Sequence, residues 1–104
     1  MKKSRKKALP DQYYQDLWKA ILTLKTPEEC QRFFLDLCTP GELQDMAERW
    51  WIARLLDKGQ LSYREIAEET GASTTTVGRV ARFLTQEPHQ GYQAVLKRIR
   101  RKNT

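Results

Sequence analysis

Residues 62–84 read SYREIAEETGASTTTVGRVARFL, and their pattern decides the fold. Ser62-Tyr63-Arg64-Glu65 sets a hydroxyl and a carboxylate three residues apart, the capping box that opens a helix by satisfying two of its orphan N–H groups reciprocally. That helix should end near Thr70, because Gly71 follows and supplies the positive φ of a tight turn. Ser73 then caps a second helix over about 74–85, whose Val77, Val80, Ala81 and Leu84 share one face and can pack on Ile66. Ala67 is small where two nearly perpendicular helices cross closely, so the stretch from about Tyr63 to Leu84 reads as a helix-turn-helix. Its second helix turns Thr74, Thr75, Gly78, Arg79 and Arg82 outward, all small or basic, a surface able to enter a major groove without repulsion from phosphates. Such a pair is also a common way of packing two helices with solvated threonines and arginines, and shape alone does not fix function.

Upstream, Thr39-Pro40-Gly41-Glu42 combines an N-cap hydroxyl, an early proline and a glutamate, and opens a long helix over about 40–57 that Gly59 closes. Leu43, Met46, Ala47, Trp50, Ala53 and Leu56 occupy one side of it, while Trp51, Ile52 and Leu55 widen the apolar surface. A helix this apolar around its circumference needs burial on two sides, which points to a central helix or a subunit interface and favours a homodimer. Thr26-Pro27-Glu28-Glu29 repeats the start signal for a helix over about 27–37 with Cys30, Phe33, Phe34 and Leu37 on one face. Residues 11–25 carry a stripe of Tyr13, Leu17, Ala20, Ile21 and Leu24, and Pro88 opens a last segment with Tyr92, Val95, Leu96 and Ile99 in register. Six helices and no alternating strand pattern make the class all-α.

The 104 residues allow one compact domain with one core. A net charge of +6 invites a polyanionic partner, but ten of the nineteen basic residues lie in Lys2–Lys7 and Lys97–Lys102, leaving nine basic against thirteen acidic side chains in the body. The expected organisation is therefore a disordered basic arm (1–9), a helical domain (10–96) and a basic tail (97–104) able to touch phosphates. No apolar run is long enough for a membrane span or a signal core, so a cytoplasmic protein without membrane association is expected. Cys30 and Cys38 lie eight residues apart beside phenylalanines and leucines, with the one histidine, His89, remote in sequence. Buried thiols are expected, and neither metal nor cofactor.

From about Thr26 to Leu84 the chain strongly resembles the trp repressor family, and within it the TrpR-related proteins of the YerC/YecD type, with CTPGELQDMAERWWIARLLDKGQLSYREIAEETGASTTTVGRVARFL, residues 38–84, the specific part. The resemblance implies a six-helix fold, an intertwined homodimer, and two reading heads that meet successive major grooves of a palindromic operator. Carried over by position, Thr74, Thr75, Gly78 and Ala67 match residues that approach base edges, and Tyr63, Arg64 and Thr76 match phosphate-facing ones. Ser73, Arg79 and Arg82 complete the expected DNA-facing set. Gly78 can read nothing by side chain, so the operator should differ from the trp operator.

In that family a tryptophan corepressor lies with its indole between two arginines, which correspond to Arg49 and Arg79, near a threonine corresponding to Thr39. The position after the second arginine is glycine in the repressor and Val80 here, and an extra branched side chain in a packed site costs about 1–3 kcal/mol. Neither tryptophan nor another small-molecule corepressor is therefore expected; Trp50 and Trp51 are candidates to fill the pocket instead. Arg49 has a second reading, as a phosphate contact or an ion pair with Asp45 one turn earlier. The resulting expectation is a sequence-specific, dimeric regulator of transcription on double-stranded DNA, a repressor by family default. No nucleophile-base pair or phosphate loop suggests an enzyme. The alternative is a protein-interaction or structure-specific nucleic-acid-binding module driven by the basic tails.

Overall fold

The computed structural model describes residues 7–102, which are all-helical: α1 (Asp11–Leu22), α2 (Pro27–Leu37), α3 (Pro40–Lys58), α4 (Tyr63–Thr70), α5 (Thr74–Thr85) and α6 (Gly91–Lys102). They fall into two compact units that divide between Thr39 and Pro40, where the sequence suggested one core.

In the C-terminal unit, Ile52 and Ala53 of α3, Ile66 of α4, and Val77 and Val80 of α5 form the buried cluster, edged by Trp50, Leu55, Leu56, Leu61, Ala67, Ala72 and Tyr92. Ala81, Leu84 and Leu96 are buried as well, so the inner face read for α5 is the observed one. Local signals set the boundaries. Ser62 Oγ accepts from the Glu65 N–H at 3.1 Å while Glu65 Oε1 accepts from the Ser62 N–H at 2.8 Å, the reciprocal box that starts α4. Gly71, at φ +81°, ends α4 with its N–H on the Ala67 carbonyl, and Gly59, at φ +71°, ends α3 on the carbonyls of Leu55 and Leu56.

The last helix departs from its expected start. Gln90 holds φ +61°, a left-handed conformation that cannot continue a helix, so α6 begins at Gly91 rather than at Pro88. The Gln93 side-chain amide then donates to the Leu84 carbonyl at 2.9 Å, serving one of the open acceptors at the end of α5. At its other end α6 continues through Lys102, so the basic residues expected in a tail from Lys97 onward are helical as far as the structure describes them. Leu96, 2% exposed, anchors that half of the helix to the core.

The N-terminal unit is different in kind: neither α1 nor α2 has a buried residue. Phe33 and Phe34 meet edge to face at 5.5 Å, but Tyr13, Tyr14, Trp18, Leu22, Leu35 and Leu37 are exposed. The thiols expected to be buried are not: Cys30 is exposed and Cys38 half-buried, both free. The reason is the same for all of them, since the apolar stripes have nothing in this unit to cover them. α1 stops at Leu22, three residues early, because the N–H groups of Thr23 and Leu24 bond to the carbonyls of Ala20 and Ile21, tightening the last turn. Thr26 caps α2 by accepting from the Glu29 N–H, but the Glu29 carboxylate reaches the Lys25 N–H, one residue before the position a capping box would use. The expected arm at residues 1–9 lies mostly outside the described residues.

Candidate nucleic-acid interface

The turn of residues 71–73 joins α4 to α5, and both helices are fixed from within by Ile66, Val77 and Val80. Tyr63 and Arg64 stand exposed on the first turn of α4, directly after the capping box. Ala67 is half-buried against the core, which is its structural task. On α5, Ser73 is the N-cap: its Oγ accepts from the Thr76 N–H at 3.0 Å and donates to Thr76 Oγ1 at 3.1 Å. Both hydroxyls are therefore engaged in starting the helix, whereas Thr74 and Thr75 are exposed.

Gly78 is the informative position on this face. A Cβ built there meets no atom within 4 Å, so the chain's own packing does not require glycine in the middle of α5. Glycine inside a helix costs about 0.8–1.0 kcal/mol relative to alanine. A residue that costs stability and returns no internal packing fits a surface that something outside the chain must approach closely.

Arg79 and Arg82, one turn apart on the same face of α5, both lie against Phe83. The Arg79 guanidinium carbon is 4.8 Å from the Phe83 ring centroid and that of Arg82 is 5.2 Å away, while Arg82 Nε also pairs with Glu87 Oε2 at 3.2 Å. An exposed pair of this kind contributes about 0–1 kcal/mol and yields readily to a phosphate. His89 stacks on Phe83 with centroids 5.9 Å apart and rings 11° from parallel.

Behind this cluster lies a cavity of about 460 Å³ lined from α3 by Arg49 and Trp50, from α5 by Arg79, Val80 and Phe83, and by His89, Tyr92 and Val95. Three of the four residues expected to line a pocket, Arg49, Arg79 and Val80, are brought together; Thr39 belongs to the N-terminal unit and is not among the lining residues. The tryptophans expected to fill it do not. Trp50 forms a wall and stacks on Tyr92 at 6.3 Å, and Trp51 is 44% exposed. Among the described residues Arg49 makes no ion pair with Asp45. Phe83, His89 and Tyr92 were missed as pocket residues; the one local signal was the Arg79–Phe83 spacing of four, which places a cation over a ring on a helix surface.

Residues 12–100, spanning α2 to α5 whole and most of α1 and α6, match the family described as Trp repressor protein. The chain belongs to the Trp repressor family. It is 46% identical over 88 residues to the uncharacterized protein YerC of Bacillus subtilis, covering 85% of this chain and 83% of that one. A Trp operon repressor homolog of Chlamydia trachomatis serovar L2 is 35% identical over 86 residues, covering 79% and 92% of the two chains. The crystal structure of a TrpR like protein from Eubacterium eligens superposes with a TM-score of 0.78 at 40% identity, covering 85% of this chain and 89% of that one. The resemblance read from about Thr26 to Leu84 thus extends over nearly all the helical region, and the six-helix fold is that of the family. Trp repressor proteins are regulators of transcription and not enzymes. No helix among the described residues is long and apolar enough to cross a membrane.

Proposed function

We propose that this Trp repressor family member is a sequence-specific, double-stranded-DNA-binding regulator of transcription, a repressor by family default, in which α4 and α5 form the helix-turn-helix. The observation that carries the reading is the outer face of α5. Thr74, Thr75, Gly78, Arg79 and Arg82 present hydroxyls, an open glycine and two cations with no acidic residue, on a helix whose opposite side is buried. Thr74 and Thr75 can each donate or accept at a base edge and offer a methyl to thymine, and Gly78 allows the backbone to come close. Tyr63 and Arg64 are positioned to hold phosphates, and Ser73 and Thr76 contribute chiefly by fixing where α5 begins.

The active species is a homodimer on a palindromic operator. Support comes from the N-terminal unit, where Tyr13, Tyr14, Trp18, Leu22, Leu35 and Leu37 are exposed, an apolar surface that a second chain would cover. L-tryptophan is not its corepressor. The cavity has volume for a ligand, but Arg79, which would have to cover an indole, already lies over Phe83, and Val80 adds a branched wall. Moving Arg79 off Phe83 forfeits a contact of about 0.5–1 kcal/mol before any ligand is held.

Selection of binding sites from a random duplex pool at physiological salt tests the reading. One enriched palindrome with half-sites about one helical turn apart is the expected result. Retention of unenriched DNA that is lost steeply with salt would assign binding to charge alone and sink the helix-turn-helix reading.

A further inference from the structure

α6 carries a charge pattern that a packing role does not require. Leu96 is buried and Tyr92 stacks on Trp50, so one face holds the helix to α3 and α5. The other face presents Lys97, Arg98, Arg101 and Lys102, all exposed, and no acidic residue occurs after Glu87. Arg98, Arg101 and Lys102, spaced i, i+3 and i+4, line a shallow groove of about 500 Å³ by themselves.

The bland explanation is that cations suit the negative end of a helix dipole. One or two would suffice for that. Here Arg98 and Lys102 are like charges four residues apart, an arrangement that destabilises a helix by about 0.2–0.5 kcal/mol. Phosphates laid along this face would relieve that repulsion.

Location supplies the second argument. Arg100 Nη1 lies 2.6 Å from Asp57 Oδ2, and although an ion pair this exposed adds little stability, it pins the end of α6 beside the end of α3. From Asp57 the chain needs six residues to reach Tyr63, a reach of at most about 20 Å. Asp57, and with it the Arg100 side chain, therefore lies within about 20 Å of the first turn of α4, where Tyr63 and Arg64 are positioned for phosphates, a span that one duplex can cover.

We propose that the exposed basic face of α6, through Lys97, Arg98, Arg101 and Lys102, is a second phosphate-binding surface that lengthens the duplex footprint without reading sequence. The choice of duplex DNA as its partner rests on the function proposed above. The test uses the full-length protein and its R98Q/K102Q variant, with fluorescence anisotropy on the selected operator and on a random duplex of equal length across a salt series. The slope of log K against log salt should become shallower by about 1.8 per protomer in contact, about 0.9 for each phosphate contact removed. Operator and random duplex should weaken by the same factor, with an unaltered circular dichroism spectrum. An unchanged slope on the random duplex, or a loss confined to the operator, overturns the proposal. If the wild-type protein itself fails to prefer the operator, the reading of α5 fails, while the slope on the random duplex still decides the role of α6.

Discussion

Replacing Gly78 by alanine separates stability from recognition with a single methyl group. Gly78 is the fifth of twelve residues in α5, well inside the helix, and a Cβ there meets nothing within 4 Å. No clash offsets the propensity gain, so each chain should be stabilised by about 0.8–1.0 kcal/mol. For a domain of this size that raises the melting temperature by roughly 4–8 °C, measured by circular dichroism at one fixed protein concentration because dimer stability depends on it. On DNA the sign reverses. A methyl forced into a close-fitting contact costs about 1–3 kcal/mol, which lowers operator affinity roughly 5- to 150-fold for each half-site engaged. Binding to a random duplex, held by phosphate contacts, should change much less. A stabilised variant with undiminished operator affinity would refute the inference that DNA approaches α5 at Gly78. A destabilised variant would refute its premise, by showing that the dimer packs something against this position.

Four further outcomes follow from the same geometry. Thr74→Ala with Thr75→Ala should relax sequence preference while leaving the salt dependence of binding nearly intact; if operator affinity holds and deletion of residues 1–8 abolishes it, binding is driven by the arm. Ser62→Ala breaks the capping box at α4 and should cost about 1 kcal/mol of stability, read as a lower melting temperature, with no change implying that Glu65 alone suffices. Titration calorimetry with L-tryptophan should show no saturable heat, and a saturable one would mean that Arg79 leaves Phe83 readily. Trp18→Ser with Leu22→Ser should shift the protein toward monomer in sedimentation equilibrium, since both side chains are exposed on a helix with no buried residue; an undisturbed dimer would place the interface elsewhere.

How much of this was legible in advance depends on the range of the interaction concerned. The starts of α2, α3, α4 and α5 are encoded by hydroxyls, prolines and glutamates within four residues of one another, and the stops at Gly59 and Gly71 by single glycines, so the sequence alone determines them. The division of α5 into an inner face of Val77, Val80, Ala81 and Leu84 and an outer face of Thr74, Thr75 and Gly78 follows from helical period, and burial agrees with it. The tertiary structure decided what depends on neighbours far along the chain. It turned Trp50 onto Tyr92 and left Trp51 outward, although adjacent tryptophans read alike in sequence. It brought His89 onto Phe83, made a cavity where a filled pocket was expected, and delayed α6 to Gly91 through a left-handed Gln90 that no residue preference announces. It also joined Arg100 to Asp57 across forty-three residues, which makes a basic segment that reads as a loose tail into a docked helix with one face exposed. Caps and turns are local because a backbone hydrogen bond spans three or four residues, whereas the packing of a ring or the pairing of a charge is settled only once distant helices have met.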